Sequence, residues 1–346
     1  MIRYLKPLIP VVLFLLLAAA ARSTPSTSPR ASGATPSLPN PGTITLDPVN
    51  QYSRLLAISD THGSYDDLVQ LLTAAKLIDS NVQWIGENIA VIVVGDSIDK
   101  GPKSLEIIDL WISLSAQAQA AGGKVVHLLG NHEAGFLACA GKAVTTGICA
   151  LEAGEEGKEQ TLIDELNAKG IPLTDLTGTS TVRGQFLHSE PIAAAAGKWL
   201  FFHAGLLPQM SWKDIQARAA AVLGDGNYND PLLSDPKSML EAKDWWADPA
   251  VRADEENRLE NNGFFGVVFG HQPAALKITG RIGAVDSGHL IKIDTGMAVQ
   301  AGAHSGMMLV FNNTSEMDEN SFPSHVYTMG PDGTMNLLQP EIMPAP

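Results

Sequence analysis

Six short apolar runs in this chain lead straight into polar groups that a hydrophobic core would exclude. They are RLLAISD (54–60), IAVIVVGD (89–96), KVVHLLGN (124–131), KWLFFHAG (198–205), FGVVFGHQ (265–272) and LIKIDTG (290–296). Apolar runs of this length read as strands buried on both faces, as in parallel sheets. Between the first two, SYDDLVQLLTAAKL sets Leu68, Leu71, Leu72 and Ala75 on one helical face, with Ser64 and Asp67 in capping-box spacing. After the second, SLEIIDLWISLSAQAQ repeats Leu105, Ile108, Trp111 and Ile112 at helical spacing. The first strands start about 35 residues apart. That order, β-α-β-α-β, predicts an α/β fold. Residues 134–197 and 224–262 break the rhythm and read as excursions, the second with Trp245 and Trp246 as packing residues. HVYTMGPDGTMNLL predicts a closing hairpin around Pro-Asp-Gly.

In open α/β sheets, sites form at the carboxyl ends of strands. Five of the runs would deliver polar residues to one edge: Asp60 and His62; Asp96 and Asp99; Asn131 and His132; His203; His271. Taken singly, each has a plainer use, Asp60 as a helix cap, Asn131 and Asp99 as turn residues, His203 and His271 as core histidines. Taken together, D-x-H, GD-x-x-D, GNHE and two strand-end histidines form a donor set of oxygen and nitrogen without thiolate. Such a set suits Mn, Fe, Zn or Co. It holds more donors than one ion needs, and two ions sharing one carboxylate would use them. Paired ions of this kind clamp the oxygens of a displacement at phosphorus.

These motifs resemble the calcineurin-like metallophosphoesterase superfamily over roughly residues 54–297. GNHE, HAGLLP and WWADP resemble its phosphoprotein-phosphatase branch, especially bacterial and Shewanella-like members. The resemblance implies two packed mixed β-sheets flanked by helices, a four-layer sandwich. It implies two divalent ions (Mn, Fe or Zn), with Asp60 and His62 on the first, Asp96 bridging, and Asn131, His203 and His271 on the second. His132, oriented by Asp99, would act as general acid; Lys100 and Asn131 would meet the substrate. The implied reaction is hydrolysis of a phosphate monoester, on a phosphoprotein or phosphopeptide, by a hydroxide held between the metals. GDSIDKGPKSLE also resembles a neighbouring group that hydrolyses nucleotides or dinucleoside polyphosphates. A third reading, a metal-stabilised binding domain without catalysis, leaves the His132–Asp99 pair without a use. There are departures. Lys100 stands where the family has arginine, Ala134 and Gly135 follow GNHE where an arginine is common, and HAG replaces HGG. Arg183, Arg252 and Arg258 are therefore considered as phosphate clamps, beside their plainer reading as solvated surface residues. Asp294 reads as ordering its own loop. His127, His188, His289, His304 and His325 fall outside every motif.

The formal net charge of −14 argues against a general binder of nucleic acid or anionic membrane. Arg3 and Lys6, the apolar stretch Pro7–Ala21 and the small residues Ala19–Ala21 read as an export signal over residues 1–21, with an uncleaved membrane anchor as the alternative. Residues 22–43 are rich in Ser, Thr, Pro and Gly and read as a flexible linker. Residues 44–346 then form the catalytic domain, with the insertion at about 134–197, in a periplasmic or secreted protein with no further membrane span. Cys139 and Cys149 are the chain's two cysteines, and in an exported protein such a pair reads as a disulfide, with two buried thiols as the alternative. Peptide mass mapping of the exported protein without reduction should therefore show Cys139 linked to Cys149. Two free thiols would contradict the bridge.

Overall fold

The computed structural model describes residues 40–140, 162–285, 288–298 and 306–312. It also describes isolated positions at 314, 317 and 323, and the backbone of 325–329, 335–338 and 341–342. The expected signal segment, most of the linker and Cys149 lie outside these residues. Among the described residues the strands form two mixed sheets of seven and six strands, flanked by helices.

The six-stranded sheet is built on β2 (Leu55–Ile58), β3 (Ala90–Val93) and β4 (Lys124–His127), which run parallel in that order. It continues through β10 (Met307–Phe311), β11 (His325–Met329) and β12 (Met335–Leu338). The last two form the expected hairpin, with Met329 opposite Met335. The other sheet has the order β1 (Thr43–Leu46), β5 (Ala193–Ala196), β6 (Trp199–Phe202), β7 (Gly266–Phe269), β9 (Leu290–Lys292), β8 (Gly283–Ala284) and β13 (Glu341–Ile342). Here β6, β7 and β9 run parallel. All six apolar runs are strands.

Side-chain alternation along the strands builds the layers. Leu55, Ala57, Ala90 and Ile92 of one sheet meet Ala194, Ala196, Trp199, Phe201 and Val268 of the other in a shared core. The alternate residues Leu56, Ile58, Val91 and Val93 face α1 (Tyr65–Ala74) and α2 (Ser104–Ala120). On the far side, Ala193, Ala195, Leu200, Phe202, Val267 and Phe269 face helices that include α6 (Trp212–Gly224) and α7 (Pro249–Asn261). The alanines of β5 leave room for large neighbours, and Trp199 and Phe201 pack edge-on against Phe311 at ring distances of 5.2 and 6.1 Å. β5 carries no alternating pattern, so its sequence gives no strand signal.

Three details differ from the sequence reading. Ser64 stands at the start of α1 but its side chain makes no cap bond; its ψ of 57 departs from the extended backbone of a cap residue. The chain is already packed at Asn40, whose amide donates to the carbonyls of His188 and Glu190, each at 2.9 Å, so the end of the segment read as linker is part of the fold. The stretch read as an insertion is partly scaffold: α3 (Asn131–Cys139), α4 (Leu162–Lys169), α5 (Val182–His188) and β5 all place residues in the core.

Candidate metal centre

The parallel strands of both sheets end on a common edge, and there the polar residues converge. Backbone strain marks the place. Asp60, His62, Asp96, Asp99, Lys100 and His271 all have left-handed φ, from 38 to 72. Non-glycine residues hold that conformation only when their surroundings fix it, and such residues cluster at functional sites. The fixing contacts are visible. The Asp60 N–H donates to the Gly95 carbonyl at 3.1 Å and the His62 N–H to the Asp96 carbonyl at 3.0 Å, so the first two loops are laced together. Gly95 has φ +79, and a Cβ there would lie 2.8 Å from His203 Nδ1. Glycine lets these loops close on the histidine.

Asp96 is the centre of the arrangement. One oxygen, Oδ2, lies 3.4 Å from His62 Nε2 and 3.3 Å from His203 Nε2. The other, Oδ1, accepts the His132 N–H at 3.2 Å. Two donor groups therefore share Asp96: His62 and His132 on one side, His203 and His271 on the other, with the donor atoms of each group within 4.8 Å of one another. Asp60 adds an oxygen 3.8 Å from His62 Nε2, and both of its oxygens accept the His271 N–H, at 3.1 and 3.0 Å. Asn131 Oδ1 lies 3.0 Å from His203 Nε2, and His271 Nδ1 lies 3.2 Å from the same nitrogen.

Ring tautomers follow from backbone contacts. His62 Nδ1 donates to the Ile98 carbonyl at 2.8 Å, and His203 Nδ1 to the Val94 carbonyl at 2.9 Å. Both therefore aim Nε2 into the site, as metal-binding histidines do when the other ring nitrogen donates to a carbonyl. Burial, and then the charge of Lys100, hold His62 well below the usual imidazole range; burial, and then His203, do the same to His271. Burial works against the charge on Asp96, but His203, His132 and His62 outweigh it and hold the carboxyl well below its usual range. Asp60 is raised well above its usual range by burial, then by Asp294 and Asp96. Burial also opposes charge on His203, yet Asp96 and Asp60 push it up to about 10. The carboxylates call for positive charge at this point, which a divalent cation supplies as well as a proton. The donor set fits such ions: His62 and His271 favour the neutral form, the shared Asp96 carboxylate is ionised, Asn131 offers an amide oxygen, and on His203 and Asp60 a cation would take the place of a proton.

Every residue expected at the site is brought to it. His132 Nδ1 lies 3.1 Å from Asp99 Oδ2, and Asp99 Oδ1 accepts the Leu162 N–H at 2.6 Å, so the excursion helps to set the pair. Lys100 lies near enough for its charge to act on His62 and Asp294. Asp294 accepts the Gly296 N–H at 2.8 Å and orders its own loop. The three arginines considered as clamps make other contacts: Arg183 with Asp109 and Asp175, Arg258 with Glu255, and Arg252 with the Trp246 carbonyl. Trp245 and Trp246 are buried; their indole N–H groups donate to the Ala204 carbonyl and to Gln272, beside His203 and His271.

Glu133 is not among the residues expected at the site. It is fully buried, and its two oxygens accept backbone N–H groups from Gly130, Asp96, Ser97 and Ile98 at 3.0, 3.0, 2.7 and 3.3 Å. One carboxylate thus ties the N-terminus of α3 to the loop that carries Asp96. The available signal was its spacing, three residues after the N-cap Gly130, which is capping-box spacing.

The profile of the calcineurin-like phosphoesterase family matches residues 53–275, more than half of the chain. The chain belongs to the calcineurin-like phosphoesterase family. It is 40% identical to Shewanella-like protein phosphatase 2 of Arabidopsis thaliana over 80 residues, 23% of this chain and 20% of that protein. The chain thus spans only about a fifth of that relative. It is 27% identical over 247 residues to a symmetrical bis(5'-nucleosyl)-tetraphosphatase of Dechloromonas aromatica, covering 68% of this chain and 74% of that one. In fold it is similar to a cold-active protein-tyrosine phosphatase of a Shewanella species, with a TM-score of 0.63 and 22% identity, covering 86% of this chain and 82% of that chain. These likenesses bear out the family resemblance, and the match to the Shewanella-like phosphatase of Arabidopsis thaliana supports the branch suggested by the motifs.

Glu133→Gln should expose the clamp's role. The amide keeps one acceptor oxygen, so part of the four-donor cluster loses its partner. Divalent-metal affinity, read by calorimetry, should fall by about 10–100-fold. An unchanged affinity would mean that the clamp does not set the site.

Proposed function

We propose that this chain is a binuclear metal-dependent phosphatase that hydrolyses phosphate monoesters, with a phosphoprotein or phosphopeptide as substrate. The observation that carries this reading is the single oxygen of Asp96 set between two histidine clusters. Asp60, His62 and Asp96 would hold one ion, and Asp96, Asn131, His203 and His271 the other. Such ions supply Lewis-acid activation of a phosphoryl oxygen and of attacking water. Asn131 and Lys100 bind and orient the phosphate. Lysine acts there as a point charge, not as the bidentate fork of an arginine. His132 Nε2 faces Asp96 and the site, 3.9 Å from Oδ2, while Nδ1 is held by Asp99. That orientation suits proton donation to the leaving oxygen.

A second reading has its own support. Similarity to the tetraphosphatase of Dechloromonas aromatica spans 68% of this chain, against 23% for the Arabidopsis phosphatase. A nucleotide or dinucleoside polyphosphate is therefore the alternative substrate. A panel of phosphopeptides and dinucleoside polyphosphates separates the two, and turnover of the polyphosphates alone would overturn the first reading. Export, a Cys139–Cys149 bridge and the absence of nucleic-acid binding complete the proposal. Among the described residues, no helix is long and apolar enough to cross a membrane.

His132 is the residue on which the chemistry divides, because its position also permits a ligand role beside His62 and Asp96. As general acid, His132→Asn should keep the fold and both ions but lose about 10²–10⁴-fold in kcat. The loss should shrink for p-nitrophenyl phosphate, whose leaving group needs little protonation, and stay large for alkyl phosphates. A leaving-group-independent loss, or a missing ion in elemental analysis, would make His132 a ligand instead.

A further inference from the structure

Beneath the Asp96 loop, four buried side chains run in line through the interior. Thr61 Oγ1 lies 3.4 Å from Ser97 Oγ, and Ser97 Oγ lies 2.7 Å from His127 Nε2. His127 Nδ1 in turn lies 3.0 Å from Glu190 Oε1. All four residues are at most 6% exposed. Thr61 sits between Asp60 and His62, and Ser97 follows Asp96, so the line starts in both loops that carry the first donor cluster. It ends on rigid structure. His127 closes β4 and pairs in register with Val93, three residues before Asp96. Glu190 precedes Pro191, whose carbonyl accepts the Leu129 N–H at 2.9 Å. The His127 ring is packed edge-on by Phe186 at 5.2 Å, with the tilted ring of Trp111 at 6.3 Å.

Stability does not explain this line. Burial pushes His127 down to about 4 and Glu190 well above the carboxyl range, so it disfavours charge on both partners. Neither oxygen of Glu190, nor the His127 Nδ1 that approaches one of them, makes a well-formed hydrogen bond. Buried polar groups left short of partners cost stability, and apolar residues of similar volume would fill such a place at least as well. The contact that does something is the one to Ser97. Its N–H is already held by Glu133, so the His127 contact holds the same residue by its side chain as well. Asp96, next to it, keeps a φ of 55 that only over-determined surroundings maintain.

We propose that His127, backed by Glu190 and acting through Ser97, is a positioning residue that holds the Asp96 carboxylate between the two histidine clusters. This rests on the reading of Asp96 as a shared metal ligand. Mn²⁺ calorimetry on the purified full chain, with thermal unfolding of each variant as a fold control, tests it. His127→Leu should weaken Mn²⁺ binding by about 10-fold or more. His127→Gln, which places an amide near the position of Nε2, should recover most of that loss. Ser97→Ala should reproduce the His127→Leu loss, and the double variant should be no worse than either single one, since both cut the same line. Wild-type affinity in His127→Leu, equal losses in the Leu and Gln variants, or single losses that multiply in the double would each overturn the proposal. Should His127→Leu fail to fold, Ser97→Ala decides alone: unchanged affinity overturns it. A wild-type chain that takes up no Mn²⁺ overturns the metal reading itself, and this inference with it.

Discussion

A carboxylate taken out of water needs positive charge or hydrogen-bond donors around it. Asp96 is 2% exposed, and the structure around it is arranged to meet that need. His62 and His203 approach one oxygen, and the His132 N–H donates to the other. Its own N–H is taken by Glu133. Its carbonyl accepts the His62 N–H, and its left-handed backbone is the bend that makes these contacts simultaneous. The proposed metal pair, acid and positioning line all take their places from this one side chain.

The two-sheet architecture makes that convergence possible. β2, β3 and β4 are parallel neighbours in one sheet, and β6 and β7 are parallel neighbours in the other. Packing the two sheets through a shared apolar core brings both sets of strand ends to one edge. Donors drawn from five strands can then surround a point that no single loop could enclose. Rigid strands fix where each loop departs. Strained turns at Asp60, Asp96 and His271 fix where each side chain points.

The strands were legible because buried parallel strands are continuous apolar runs, and the site was legible because polar residues at their ends have no packing use. β5 was not, since four alanines show neither alternation nor bulk. Glu133 and His127 were hidden for a different reason. Apart from Gly130, the partners of Glu133 lie 35 to 37 residues away and are backbone N–H groups, which every residue but proline carries; those of His127 lie 30 and 63 residues away. Only a fold that supplies those partners reveals what these two residues do. The same holds for Asp99, where the sequence pointed to His132 but gave no sign that Leu162, 63 residues on, would hold the other oxygen.

The central claim, two ions sharing the Asp96 carboxylate, has a direct spectroscopic signature. Electron paramagnetic resonance of the purified chain loaded with two equivalents of Mn²⁺ reads whether neighbouring ions interact magnetically. A shared carboxylate should give the spectrum of an exchange-coupled Mn²⁺ pair, and Asp96→Asn should abolish the coupling. Uncoupled, mononuclear Mn²⁺ in the wild-type protein, or a coupled pair that survives Asp96→Asn, would contradict the claim.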